Sequence, residues 1–466
     1  MLTYTLSESS KLSLYEQLYN CIKQDILSGT ISANEKLPSK RNLAKQLSIS
    51  VMTIENSYNQ LLSEGFIYSL PRKGFYASDI GEMFSGYEAP AGFTRDINLE
   101  RDNIGNRDNK DFIDFASNAT DPATFPFATW AKLTRRILSD DQELLMKNPP
   151  SNGLAELRIA IANYLREFRG INVSPDNIII GAGTENIYSI LIQLLGHDRI
   201  YGVENPGYEK IGLTLDSNAV KCIRIDMDES GIKPELLEQN QVDIIHITPS
   251  HHFPTGITMP VKRRYELMNW AVRSDTRYII EDDYDSEFRL SGRPIPSLYS
   301  IDTHEKVIYM NTFTKSLAST IRISYMILPD HLMNEYNQKL SFYASNVPNF
   351  EQLVLAKFIS EGYYEKHINR MRNISRKKRD LILECIKNGP LAAISEISEE
   401  KSGLHFILRV KHNMSEESLR KSCAEHLIHI NSVGKDSYMI NYSSIPLDKI
   451  EVAIKRLEKA MAADVI

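Results

Sequence analysis

Residues 312–322, TFTKSLASTIR, place Lys315 directly after Thr314 and put Arg322 seven residues further on. A lysine amine condenses with an aldehyde, and a guanidinium with neighbouring hydroxyls grips a phosphate. Pyridoxal phosphate combines those two groups in one molecule. It also needs a carboxylate for its pyridine nitrogen, a cradle for its phosphate and a ring to stack on. A lone lysine in a loop is ordinarily a solvated charge, so Lys315 counts only in the company of such partners.

Each partner has a candidate at the C-terminal end of an expected strand, where open α/β sheets bind ligands. Asp282 follows Tyr278–Ile280, and a buried aspartate there keeps a ring nitrogen protonated by charge pairing. Tyr284 is placed to donate to a phenolic oxygen. Thr312, Thr314 and Arg322 offer hydroxyl and guanidinium contacts to phosphate. The loop Gly181-Ala182-Gly183-Thr184-Glu185-Asn186 leads from Ile178–Ile180 into a helix, and a glycine loop opening a helix binds anions through its free N–H groups. Tyr208, in Asn205-Pro206-Gly207-Tyr208, is the stacking candidate. Taken singly, a GxG loop is usually a turn, a tyrosine a core aromatic and Glu-Asp-Asp a solvated charge run. Together and in this order they are specific.

A second constellation lies near the N-terminus. Ser39 and Ser50 are positioned to cap two short helices, and Arg41, in the first turn of the earlier one, is within reach of a DNA phosphate. The second helix exposes Val51, Met52 and Thr53, with Thr53 available to a base or phosphate and the two apolar residues to thymine methyls. Arg72, Lys73 and Gly74 form the tip of an expected β-wing placed against a minor groove or backbone. Spacing alone gives an ordinary three-helix bundle about equal weight.

The elements that must position these residues are legible. Leu14, Leu18, Ile22 and Ile26 recur at helical spacing up to Gly29; Leu43, Ala44 and Leu47 mark the second helix; Ile54, Tyr58, Leu61 and Leu62 mark the third. Residues 78–111 are polar, rich in Gly, Asn and Asp, and without period, as a linker is. From residue 112, apolar runs (Ile178–Ile180, Ile200–Val203, Ile244–Ile247, Tyr278–Ile280, Val307–Tyr309, Ile323–Leu328) alternate with helical patterns, which predicts a mostly parallel sheet covered by helices. The expected layout is a DNA-binding domain over 1–77, a linker over 78–111, and an α/β domain over 112–466 with a smaller α+β part from about 345 that ends in the amphipathic Lys449–Met461.

Bulk properties agree. At 466 residues, 42% hydrophobic and 24% charged, the chain has material for two or three globular domains. A net charge of −6 argues against a protein coated in nucleic acid, yet residues 1–77 hold eight Lys/Arg against six Asp/Glu. No apolar run reaches a membrane span, and the N-terminus lacks the pattern of a signal peptide. The four cysteines form no CxxC pair, which fits thiols in a cytoplasmic location and no metal site.

The stretch LPSKRNLAKQLSISVMTI, with EGFIYSLPRKGFY, resembles the winged helix-turn-helix of the GntR family of bacterial regulators across 11–77. The family's Leu-Pro-Ser-x-Arg-x-Leu-Ala run stands here as Leu37 to Ala44. One departure is Val51, where the family usually has arginine after the capping serine. Residues 112–466 resemble a fold-type I, class I aminotransferase domain. The runs TPSHHFPTG (248–256), IIEDDYDSEFR (279–289) and NTFTKSLASTIRISY (311–325) are most similar to those of MocR-type regulators, which join the two halves. The resemblance implies pyridoxal phosphate held by Lys315, with Asp282, Tyr284, Tyr208, Gly183, Thr184, Glu185, Thr312, Thr314 and Arg322 around it. It further implies operator DNA and a small amine or amino acid as partners, in a head-to-tail homodimer.

Three positions depart from the enzymes. Phe253 stands where aminotransferases place an asparagine on the phenolic oxygen, leaving His251 or His252 as substitutes. Asn148 occupies the place of a tyrosine that reaches the partner's phosphate. Met439 stands in the slot of the arginine that clamps the substrate carboxylate, and losing such a charge-assisted contact costs roughly 1.5–3 kcal/mol, with Lys210 as the nearest replacement. The first expectation is a pyridoxal phosphate-dependent regulator of vitamin B6 or amino-acid metabolism without efficient transamination. The alternatives are a working aminotransferase with a DNA-binding appendage and an interaction module with an empty domain.

Overall fold

A computed structural model describes residues 4, 6–7, 12–80, 111–117, 119–290, 295–400, 403–411 and 414–461. The chain divides into two units, one before residue 103 and one from it onward. The expected linker, 78–111, lies outside the described residues apart from 78–80 and 111.

In the N-terminal unit Ser13 and Glu16 form a reciprocal capping box that starts α1 (Leu14–Leu27), whose Leu18, Ile22 and Ile26 turn inward. Ser39 caps α2 (Lys40–Leu47) by accepting from the Asn42 amide at 3.3 Å, and Ser50 caps α3 (Val51–Ser63) by accepting from Thr53 at 3.0 Å. Ser48, in left-handed backbone, makes the tight turn between them. Strands β1 (Ile67–Leu70) and β2 (Gly74–Ala77) pair antiparallel from Ile67–Ala77 to Leu70–Gly74. They fold onto a core of Leu18, Ile22, Leu43, Ile54, Tyr58 and Leu61. A winged helix-turn-helix results, as the caps and periodicity predict.

The second unit opens with β3 (Ile113–Asp114) and then builds an eight-stranded mixed sheet. Its strands are β4 (Ile178–Gly181), β5 (Ile200–Asn205), β6 (Lys221–Asp228), β7 (Gly231–Ile232), β8 (Ile244–Ile247), β9 (Tyr278–Asp282), β10 (Val307–Thr312) and β11 (Ser324–Ile327). They lie in the order β4-β11-β10-β9-β8-β5-β6-β7. β5, β6, β8, β9 and β10 run parallel, whereas β11 is antiparallel to both β10 and β4. A parallel return needs a crossover of a dozen or more residues, usually a helix. Only eleven residues separate β10 from β11, so the chain turns back directly and leaves the Lys315 loop at the C-terminal end of β10. Strand β6 has no counterpart among the apolar runs of the sequence, because near the sheet edge most of its side chains are exposed or half-buried.

The C-terminal part follows the 26-residue helix Tyr363–Asn388. Strands β12 (Ser395–Ser398), β13 (His405–Val410), β15 (Asn431–Gly434) and β16 (Ser437–Asn441) form an antiparallel sheet in the order β12-β13-β16-β15. A further short strand, β14 (Ile428–His429), pairs with β3, so Ile113 and Phe115 share a core with Phe406, Leu408 and Ile440. The helix Asn349–Ser360 buries Leu353 and Phe358 with Leu157 and Ile161 in the core of the larger part. Among the described residues no helix is long and apolar enough to cross a membrane.

Candidate functional site

A cavity of about 190 Å³ opens at the C-terminal ends of the parallel strands. It brings together Lys315, Asp282, Tyr284, Tyr208, Thr184, Glu185, Thr312, Thr314 and Arg322, which lie far apart in sequence. Strands β4, β5, β9 and β10 deliver the loops that carry them. A sheet core of Ile179, Ile280, Ile308 and Met326 holds those strand ends in place.

Lys315 is half-buried on the cavity wall. Desolvation pulls its ε-amine down from the ordinary lysine value to about 8, with Asp285 opposing the shift. About a tenth of the amine is therefore in the neutral, nucleophilic form at pH 7, far more than for an ordinary lysine. Asp282, at the end of β9, is buried, and burial raises its carboxyl above the usual range. His246 Nε2, 3.4 Å from Asp282 Oδ2, pulls the other way. A long contact to one imidazole leaves this carboxylate able to take a further cationic donor.

Arg322 reaches across the glycine loop, its Nη2 2.7 Å from Glu185 Oε2. Gly183 holds φ +92°, and a β-carbon there would collide with the Arg322 guanidinium. The glycine is required both for backbone geometry and for the approach of the arginine. The Ala182 amide donates to Asn186 Oδ1 at 3.0 Å, fixing the loop ahead of the helix Thr184–Leu195. On the opposite lip Thr312 and Thr314 pair their hydroxyls at 2.7 Å. Hydroxyls, a guanidinium and a helix N-terminus converge as a phosphate cradle requires.

Tyr208 is half-exposed and meets Phe253 edge-on, with 5.5 Å between ring centroids. Tyr284 is half-buried, and desolvation carries its hydroxyl well above the ordinary phenol range. His251 does not line the cavity. It sits behind Tyr284, with Nδ1 2.6 Å from Asp285 Oδ2 and 3.4 Å from the Tyr284 hydroxyl, and its ring packs 4.6 Å from that of His405. His252 is also set back, bonded to Thr255 at 2.7 Å and lying 3.5 Å from Glu204. Met439 is buried on β16 opposite Ile407, outside the cavity wall, while Lys210 lies on it.

Sequence reasoning missed His246, Thr248, Thr214 and Ser319. His246 had a signal: it is a polar residue inside the otherwise aliphatic strand Ile-Ile-His-Ile, fully enclosed by the sheet. The other three are polar residues in loops or helices with no motif to mark them.

In the N-terminal unit Arg41, Arg72 and Lys73 are exposed, Arg72 in left-handed backbone at the wing tip and Gly74 at φ +110° behind it. Thr53 is half-buried, and its hydroxyl is engaged with Ser50 Oγ at 2.8 Å. Lys40 is tied to Glu55 on α3 at 2.7 Å.

Residues 14–77 match the family model of bacterial regulatory proteins of the gntR family, and residues 110–457 match that of aminotransferase class I and II. The chain is 37% identical to the uncharacterized HTH-type transcriptional regulator YdeL of Bacillus subtilis, over 98% of this chain and 99% of that one. It is 28% identical to the probable rhizopine catabolism regulatory protein MocR of Rhizobium meliloti, over 98% and 96%. With the pyridoxine biosynthesis regulator PdxR of Corynebacterium glutamicum it shares 27% over 87% and 85%. Its fold is similar to that of an archaeal alanine:glyoxylate aminotransferase, with a TM-score of 0.67 and 24% identity over 76% of this chain and 91% of that one. With a winged helix-turn-helix of the first family joined to a domain of the second, and regulators of the same two-part build as relatives over nearly its whole length, the chain belongs to the MocR-type branch of the GntR regulators.

Proposed function

We propose that the chain is a DNA-binding transcription regulator whose aminotransferase-like domain holds pyridoxal phosphate through Lys315 and reports it to the DNA-binding unit. The reported species is the cofactor itself or its adduct with an amine or amino acid. The observation that carries this reading is the convergence in one cavity of a lysine with its amine at about 8, a buried aspartate, and a cradle of hydroxyls, glycine backbone and arginine. When bound, the cofactor supplies an electrophilic carbonyl and an electron-withdrawing ring.

Asp282, which His246 meets at 3.4 Å, would hold the proton on the ring nitrogen. Tyr284 would donate to the phenolic oxygen and Tyr208 would cover the ring. Thr184, Thr312, Thr314, Arg322 and the N–H groups following Gly183 would hold the phosphate. Glu185 pairs with Arg322 and would share that guanidinium with the phosphate. His251 positions Tyr284.

A regulator is favoured over a working aminotransferase because Met439 cannot clamp a carboxylate and Lys210, exposed at the start of the helix Glu209–Ser217, is a weaker substitute. The cofactor alone then suffices as effector, and control of vitamin B6 supply is the pathway we infer. The relative named for pyridoxine biosynthesis supports it. The layout we infer is a DNA-binding domain over 1–77, a linker over 78–111 and an effector domain from 112, in a cytoplasmic head-to-tail homodimer. Ser39, Arg41, Ser50, Thr53, Arg72, Lys73 and Gly74 form or shape the DNA-binding face.

The test is spectroscopic. Purified protein mixed with pyridoxal phosphate gains a visible absorption band, and duplex DNA from its own upstream region changes affinity when the cofactor is added. A protein with no band is neither sensor nor enzyme. Sustained transamination at ordinary enzyme rates, about 1–10³ s⁻¹, would establish the aminotransferase instead.

A further inference from the structure

We propose that the DNA-binding unit reads thymine C5-methyl groups in the major groove through Val51 and Met52, with no cation on the reading helix. This rests on the DNA-binding function proposed above and adds what the unit recognises.

Helix α3, VMTIENSYNQLLS, holds no lysine, arginine or histidine. Ile54, Ser57, Tyr58 and Leu61 face the core, so the outward face begins with Val51 and Met52, which are 44% and 64% exposed. The polar side chains at the start of the helix are already engaged. The Thr53 amide and hydroxyl both bond Ser50, and the Glu55 carboxylate is held by Lys40. What the first turn presents outward is therefore aliphatic and thioether surface.

Positive charge lies elsewhere. Lys36, Arg41, Lys45, Arg72 and Lys73 are exposed on the segment before α2, on α2 itself and at the wing tip. Cations on flanking elements grip phosphates and set register, whereas groups on the inserted helix read base edges. The thymine methyl is the apolar group that base edges offer in the major groove. An exposed valine and methionine, flanked by phosphate-seeking cations, match that group and cannot match the guanine acceptors that arginine or lysine would read.

The test begins with full-length protein and a pool of randomised duplexes, from which bound sequences are enriched. The best sequence is then remade with deoxyuridine in place of thymidine at one position at a time, which keeps base pairing and deletes only the methyl. At one or two positions in each half-site, binding should weaken by about four-fold per methyl. Val51→Ala and Met52→Ala, at exposed sites that leave the core intact, should each bind the thymine duplex more weakly. Each should also lose the deoxyuridine penalty at one position. Enrichment of a sequence whose binding ignores deoxyuridine, or a penalty unchanged in both variants, overturns the inference and leaves the DNA-binding function standing. Failure to enrich any sequence removes both.

Discussion

At one end of the cavity Lys315, Thr312, Thr314 and Arg322 come from a single eleven-residue stretch, and Asp282 and the Gly183 loop close around them. At the other end Tyr208 and Phe253 meet edge to face, with His405 against Phe253, and Met439 is buried in the small sheet that also carries His405. The first end is dense in charge and hydroxyls and locally encoded. The second is aromatic and assembled from strands far apart in the chain. On the proposed reading this difference separates two tasks that an aminotransferase performs together: gripping the cofactor and gripping the amino acid. On that reading the chain holds the residues for the first, and Met439 stands where the arginine for the second is expected.

The largest effect should come from Lys315→Ala, which removes the amine and with it the visible band. Mass spectrometry after borohydride reduction should then show no added cofactor mass. If the variant still retains cofactor covalently, the division between the two ends is drawn at the wrong residue. Next comes Arg322→Ala. A charge-assisted contact contributes about 1.5–3 kcal/mol, so the dissociation constant for pyridoxal phosphate should rise about 10- to 100-fold in a fluorescence titration. Met439→Leu, a volume-conserving change at a buried site, should alter the same constant by less than about two-fold. Equal losses from the two substitutions would erase the comparison.

Why the polar end was legible as a cluster, while the aromatic end gave Tyr208 and Phe253 without their packing, follows from how each is built. Thr312, Thr314, Lys315 and Arg322 lie on one loop, so their order reports their proximity directly. The winged helix was readable for the same reason, since its caps Ser39 and Ser50 act within three residues of themselves. His251 was misplaced because adjacency in His251-His252-Phe253 says nothing about which ring faces the cavity. Phe253 does, while both histidines turn toward Asp285 and Glu204. Strand β6 escaped notice because, beside the two-residue edge strand β7, most of its side chains are exposed or half-buried and it has no continuous apolar face. The start of the small sheet's core at Ile113 was invisible because β3 is two residues long and pairs with a segment more than three hundred residues away.

The polar end also makes a pH prediction. With the Lys315 amine at about 8, the neutral fraction rises roughly five-fold between pH 7 and pH 8, and the rate of cofactor capture should follow it in stopped-flow absorbance. The same shift acts on stability. The folded-state value lies below the unfolded one, so between about 8 and the free-lysine value near ~10.4 the unfolded chain binds more protons. Stability of the cofactor-free protein therefore rises with pH across that window, and Lys315→Ala should flatten the slope in denaturant titrations at matched pH.

The smallest expected effect lies at the boundary between the two ends. His251 touches Tyr284 through a long contact of 3.4 Å while holding Asp285 at 2.6 Å, so it acts on the cavity indirectly, by orienting the tyrosine and the carboxylate that faces Lys315. A neutral hydrogen bond contributes about 0.5–1.5 kcal/mol, and one this long belongs at the low end, about two- to three-fold in cofactor affinity. His251→Asn should produce that modest loss and move the pH midpoint of the visible band, because the tyrosine would no longer be held in place beside the phenolic oxygen. His252→Asn, which removes the Thr255 and Glu204 contacts instead, should leave the midpoint where it is. If His251→Asn weakened binding as strongly as Arg322→Ala, His251 would belong with the gripping residues, and the polar end would extend a layer deeper than the cavity wall.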